Sequence, residues 1–280
     1  MPKKKTLLNL LISAAALFAL SGCMSNSILN VAERRVVEFP ELVDGIKGYR
    51  LIFVGEMHDK KWTHTAQLKV ISALKEAGVN VSIGVEMFRK ESQKDLDGWV
   101  AGTMSEEEFG AVYRKNWGLP WRQYREIFLY ARDKKVPVVA LNISRKIIHQ
   151  VFTKGFHALG PEDLKELGDI ECSVDKPYEE FIREAMEEHD LKDASFQNFC
   201  EAQMVWDSTM ARNSVEYLKD NNGATLVVLA GSGHSWKRGI PAQVGKRSDI
   251  KFVVIIPEAE DKPSRENVTA MDADYLWLRW

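Results

Sequence analysis

Five short stretches of this chain are almost wholly apolar: RLIFVG (50–55), VSIGVE (81–86), VPVVAL (136–141), TLVVLAG (225–231) and KFVVII (251–256). None shows a clean alternation of apolar and polar residues, so each reads as a strand covered on both faces. The segments between the first three suit helices. Residues 65–77 carry Leu68, Ile71 and Leu74 three apart and stop at Gly78, and 121–134 carry Tyr124, Ile127, Phe128 and Ala131 as one stripe. Strand and helix in alternation predict an α/β fold with a mostly parallel central sheet flanked by helices. The rhythm breaks over 142–218, which reads as helices at 145–154, 161–167, 178–188 and 195–218. Pro161 followed by Glu162 and Asp163 is a favourable helix start. This stretch forms a helical insertion between the third and fourth core strands, placed either to build a pocket or to cover one sheet face. The final YLWLRW (275–280) reads as an added edge strand.

The first residues do not fit that pattern. Lys3, Lys4 and Lys5 precede a stretch, 7–20, whose polar residues are Asn9 and Ser13. It is short for a membrane span, which needs about 20 residues, and reads as a secretory signal. It ends in Leu20-Ser21-Gly22-Cys23, which resembles a bacterial lipobox. That resemblance implies a signal peptide over 1–22, lipid on Cys23, a tether over 23–30 and one domain over 31–280. Met24 after the cysteine favours the outer membrane by enterobacterial sorting rules. Without the three leader lysines, 35 basic residues face 40 acidic ones, a net charge of −5 that argues against a nucleic-acid partner. Cys172 and Cys200 remain, and an oxidising periplasm allows them to pair. Their spacing matches no zinc ribbon or finger.

The polar residues of interest stand at strand ends. Glu56 and His58 follow the first strand, two apart and so able to face one cavity. Glu86 ends the second strand and His234 follows the fourth, in AGSGHS. In open α/β sheets the ligand crevice lies beyond the carboxyl ends of the strands. Two imidazoles and two carboxylates meeting there can bind a divalent transition metal (Mn, Fe, Co or Zn) or move protons without one. His64, on the first helical turn, stands near the same mouth. Neither GEMH nor GSGH is a phosphate loop or a nucleophile elbow, and no HExxH occurs.

Gly55-Glu56-Met57-His58, Glu86-Met87-Phe88 and Gly231-Ser232-Gly233-His234 together are similar to the Tiki/TraB/erythromycin-esterase assemblage. More closely, the chain resembles its ChaN branch of haem-binding uptake lipoproteins. Trp117 with Pro120, the run 124–128 before Ala131-Arg132, the run 138–142 before Arg145, the 203–211 stretch with Trp206, Asp207 and Met210, and Gly239-Ile240-Pro241 all fit. The likeness covers roughly residues 30–260. For the hydrolases of the assemblage it implies an active centre at Glu56, His58, Glu86 and His234. For the ChaN branch it implies haem bound between paired subunits through the helical region, and a part in iron acquisition with an outer-membrane transport system.

Haem iron takes histidine, tyrosine, methionine or cysteine ligands. The insertion offers His149, His157, Tyr178 and His189, the last within acidic EEHD (187–190). His149 and His157 are about 80° apart on one helix if Gly155 does not break it. Phe152, Phe156 and Phe181 either line a pocket or pack as ordinary helix residues. Trp62, Trp99, Trp117 and Trp121 read as core or subunit-contact residues. Two functions follow. One is a lipid-anchored, homodimeric haem-binding protein. The other is a metallohydrolase that activates water against a peptide or ester.

Overall fold

The computed structural model describes residues 27–185, 196–260 and 263–279. The leader, Cys23 and His189 lie outside them. The elements run β1 (Ile28–Asn30), β2 (Arg35–Val37), α1 (Phe39–Ile46), β3 (Leu51–Glu56), α2 (Lys61–Glu76), β4 (Val81–Arg89), α3 (Gln93–Ala101), α4 (Glu106–Asn116), α5 (Trp121–Asp133) and β5 (Val138–Asn142). Then follow α6 (Arg145–Lys154), α7 (Pro161–Leu167), α8 (Lys176–Ala185), α9 (Phe196–Asp220), β6 (Thr225–Gly231), α10 (Ser232–Ser235), α11 (Ile240–Gly245), β7 (Phe252–Pro257) and β8 (Tyr275–Trp277).

The strands form one sheet in the order β2-β1-β8-β7-β3-β6-β4-β5. The core run from β8 to β5 is parallel, and β1 is antiparallel to both β8 and β2. The mostly parallel α/β expectation therefore holds. β3 and β6 are buried along their whole length, as unbroken apolar runs require in a sheet covered on both faces. Two local expectations are corrected. Ile28–Asn30, inside the stretch read as tether, is a strand, because β1 pairs with the C-terminal strand. That strand, β8, is not an edge: it lies between β1 and β7. β1 and β2, three residues each, are too short to carry a recognisable period. Among the described residues, no helix is long and apolar enough to cross a membrane. Cys172 and Cys200 are free thiols and form no disulfide.

One sheet face packs on α1 to α5, around an aromatic cluster. Trp99 stacks on Phe109 with ring centroids 4.4 Å apart, and Phe109 lies 5.3 Å from Phe128. The Trp99 indole N–H donates to Phe128 O at 2.7 Å, so the buried ring leaves no donor unsatisfied. α4 is started by a capping box: Ser105 Oγ accepts from Glu108 N, and Glu108 Oε2 accepts from Ser105 N. The other face packs on α9 and α11. α9 is 25 residues long and runs across the sheet near β5. The 142–218 stretch is thus cover for one face, and its α6 and α9 also wall a cavity at the strand ends. Gly155, at φ +84°, ends α6.

Phe109 is wholly buried in the aromatic cluster. Phe109→Ala is expected to cost about 3–5 kcal/mol of unfolding free energy. Urea unfolding should show this as a lower midpoint at unchanged slope. A cost under about 1 kcal/mol would mean that the cluster does not organise this face.

Candidate functional site

Three strand ends and one helix supply the site. β3 delivers Glu56, a wholly buried side chain. Its Oε1 lies 2.7 Å from His58 Nδ1 and accepts the Tyr124 hydroxyl from α5. Its Oε2 lies 3.6 Å from Nε2 of buried His64 on α2, and the His64 ring sits 4.2 Å from that of Tyr124. α2 begins at Lys61, four residues earlier than the sequence pattern suggests, which places His64 in its first turn under the site.

The second half mirrors the first. α9 delivers Asp207, 1 % exposed, with Oδ1 2.6 Å from His234 Nδ1. Asp207 Oδ2 accepts the Tyr178 hydroxyl at 2.7 Å. Tyr124–Glu56–His58 and Tyr178–Asp207–His234 are therefore two relays of one kind, in which a carboxylate is clamped between a phenol and an imidazole Nδ1. Between them stands Glu86 from β4. Its Oε2 accepts from Gly231 N at 2.7 Å, and its Oε1 lies 3.8 Å from His234 Nε2. Gly231 is paired in register with Glu56 and lies under the His58 ring. A Cβ on it would come within 2.9 Å of His58 Nε2 and 3.8 Å of Glu86 Oε2. Gly239 is equally confined, since a Cβ there would lie 2.4 Å from His234 O.

The electrostatics follow from burial and pairing. Burial pushes the Glu56 carboxyl up, but hydrogen bonding and charge from His58 and His64 outweigh it and bring it to about 2. Burial pushes His58 down, but its hydrogen bond to Glu56 and the charges of Glu86 and Glu56 raise it to about 9. For His234, the charges of Asp207 and Glu86 outweigh burial and raise the imidazole. Burial raises Asp207 against the pull of His234 and Tyr178. Both tyrosines are raised, first by burial and then by the neighbouring carboxylate, so they stay protonated donors.

An apolar cavity of about 330 Å³ adjoins the relays. Met87, Ile148, Phe152, Trp117 and Trp206 give it apolar walls, and Arg89, Arg145 and His149 stand in its lining. Trp117 packs edge-on against His58 at 5.3 Å, and Trp206 edge-on against His234 at 5.7 Å. The two indoles are thus shared by cavity and relays. Arg89 Nη2 donates to Lys115 O at 3.1 Å, while its Nη1 is buried with no hydrogen-bond partner. Burial and the neighbouring Arg145 charge both press the Arg89 guanidinium downward.

The fold brings Glu56, His58, Glu86 and His234 together. His64, expected near the same mouth, joins them beside Glu56; Tyr124 and Asp207 also belong with them and were missed as site residues, although both stood in the motifs that carried the family resemblance. Among the described residues, no group of three or more His, Cys, Asp or Glu side chains has metal-holding geometry. Each histidine instead turns Nδ1 to its own carboxylate. Of the haem-ligand candidates, His149 lines the cavity. His157 is exposed on the 3₁₀ turn Phe156–Ala158, beyond the Gly155 break, and does not share a helix with His149. Tyr178 is corrected: its phenol is buried and bound to Asp207, away from the cavity lining. Of the three phenylalanines, Phe152 alone lines the cavity, and Phe181 is wholly buried among core residues.

A search of curated proteins gives no sequence relative. Among solved structures, the chain is similar to ChaN of Campylobacter jejuni, described with cofacial heme binding, at TM-score 0.71 and 20 % identity, over 89 % of this chain and 95 % of that one. It is also similar to an erythromycin esterase, EreC, in its open conformation, at TM-score 0.51 and 15 % identity, over 84 % of this chain and 76 % of that one. At these identities the likenesses show the fold. The family model for haem-binding uptake, Tiki superfamily, ChaN, matches residues 42–244, and with most of its length so matched the chain belongs to that family.

Proposed function

We propose that the protein binds haem in the aromatic cavity at the strand ends and serves haem or iron acquisition. In this reading lipid on Cys23 anchors it to the bacterial outer membrane. The observation that carries the reading is the buried, unpaired Arg89 Nη1 at the wall of a cavity that combines aromatic and aliphatic side chains with Arg145 and His149. Family membership supports it independently.

The residues fit the group. A porphyrin is flat and apolar with acidic propionates at one edge. Met87, Trp117, Phe152 and Trp206 suit its faces, and Arg89 with Arg145 suits its carboxylates. His149 is the lining residue able to reach iron through an imidazole nitrogen. A cavity of about 330 Å³ takes part of such a ring, which leaves one face for solvent or for a second copy of the chain and accords with a homodimer. Bound haem supplies the iron that the protein carries.

A second reading rests on the two relays. His58, held as an imidazolium at neutral pH, and His234 flank the Glu86 carboxylate, so a proton donor and a proton acceptor stand side by side. That arrangement suits acid–base hydrolysis of an ester or peptide without a metal. We rank it second because the cavity beside it is apolar and cation-lined.

Hemin titrated into the full chain in detergent should give a saturable Soret shift. Arg89→Met should weaken binding about tenfold or more, as loss of a charge-assisted contact does. His149→Ala should change the Soret position. No saturable shift would sink the haem reading. A shift unmoved in both variants would place haem elsewhere.

The Glu56–His58 pair has its own pH signature. The raised imidazole stabilises the fold fully below its ordinary pKa of about 6.5, and that contribution is lost as pH rises through about 9. The depressed carboxyl stabilises above its ordinary value of about 4.3, and that contribution is lost as pH falls towards about 2. NMR titration of His58 should therefore give an apparent pKa near 9, and Glu56→Gln should return it towards 6.5. A wild-type value near 6.5 would show that the pair does not form.

A further inference from the structure

The pairing of β1 fixes where the chain enters the fold. β1 runs antiparallel to β8, so its first residue, Ile28, lies opposite Trp277, the last residue of β8. Trp277 in turn lies opposite Pro257, the last residue of β7, and β7 is parallel to β3. Ser27 O accepts from Leu278 N at 3.1 Å, just past the end of β8. Ser27 therefore stands at the carboxyl end of the sheet, the end that carries Glu56, Glu86 and His234. In the strand order, β3 is three steps from β1, β6 four and β4 five. At about 4.8 Å per step, the strand ends that bear the relays and the cavity lie roughly 14–24 Å from that entry point.

The reach of the chain before Ser27 is short. Cys23 is four residues from Ser27. Four residues span at most about 14 Å when fully extended. β3 is six residues long, so the opposite end of the sheet lies about 20 Å away. A lipid on Cys23 is thus held near the carboxyl end and cannot reach the amino end.

The side chains at this end suit a lipid surface. Among the described residues, the half-exposed tryptophans are Trp62, Trp117, Trp121 and Trp206, and the other tryptophans are buried. All four gather at the carboxyl end. Trp117 and Trp206 pack on His58 and His234. Trp62 is two residues before His64 and Trp121 three before Tyr124, and both of those residues lie beside Glu56. Exposed Lys60 and Lys61 precede Trp62. Indoles with neighbouring lysines favour the headgroup layer, where the ring meets acyl chains and the ammonium meets phosphate.

We propose that the carboxyl end of the sheet, with the relays and the aromatic cavity, docks on the bilayer that holds the anchor, so that the cavity opens at the lipid–water interface. The proposal rests on lipid at Cys23 and not on haem. A ligand then reaches the cavity from the interface, which favours amphipathic molecules that partition there over ones that stay in bulk water.

The test uses the chain purified from bacterial membranes and placed in vesicles of phosphatidylethanolamine and phosphatidylglycerol. Mass spectrometry first reads the lipid on Cys23. In a Cys172→Ser background, Lys61→Cys puts a donor fluorophore at the carboxyl end and Lys251→Cys puts one at the amino end. Energy transfer to an acceptor on the lipid headgroups is compared between them. The background without an added cysteine gives the blank for buried Cys200. The two positions differ by about 20 Å along the strands, so transfer from position 61 should exceed that from 251 several-fold. Gly118→Cys and Asp249→Cys, both exposed, repeat the comparison if either lysine variant does not fold. Lipid on Cys23 with equal or stronger transfer from the amino end would overturn the docking and leave the anchor intact. No lipid on Cys23 would remove the anchor and the docking together.

Discussion

The site depends on a buried carboxylate. Glu56 ends the central strand β3 with its side chain wholly buried, where an isolated ion is costly. It stays ionised because Tyr124, His58 and His64 surround it, from α5, the loop after β3 and α2. Three separate segments are thus positioned by one charge. His58 then overhangs Gly231, so a side chain at the end of the neighbouring strand would press on the imidazole. Glu86 in turn holds the Gly231 amide. These contacts tie the carboxyl ends of β3, β4 and β6 together in addition to their ladder hydrogen bonds.

Asp207 repeats the solution from the opposite side. It is as buried as Glu56 and is held by Tyr178 and His234 in the same way. Two relays of one design, from unrelated segments, face one central carboxylate. Trp117 and Trp206 stand between each histidine and the apolar cavity. A flat ligand in that cavity touches the same indoles that pack on the relay histidines. Binding in the cavity and the charge state of the relays therefore share two side chains. This links the haem reading and the acid–base reading physically rather than leaving them as rivals on separate surfaces.

Much of the frame was legible in the residues. The five apolar runs became β3 to β7, and Arg145–Lys154 and Pro161–Leu167 formed helices at the bounds the pattern suggests. Burial on both faces leaves a continuous apolar signature, and a proline followed by acids marks a helix start. The grouping of Glu56, His58, Glu86 and His234 was legible too, because parallel strands place their carboxyl ends on one side. β1, β2 and the interior place of β8 were not, since a three-residue strand has no period and pairing across the whole chain length leaves no local trace. The helices α1, α3 and α4 fall outside the stretches read as helical.

The sequence by itself determined the layered α/β frame and the end of the sheet at which polar chemistry collects, because both follow from local periodicity and chain direction. Only the tertiary structure decided which helix side chains join the strand-end residues there. Tyr124, Tyr178 and Asp207 reach the site from helices far away in sequence, and nothing local distinguishes a phenol that clamps a carboxylate from one that packs in a core. The same holds for Arg89. Its identity was visible in the sequence, but its unpaired Nη1 beside an aromatic cavity arises only when β4, α4, α6 and α9 close around it.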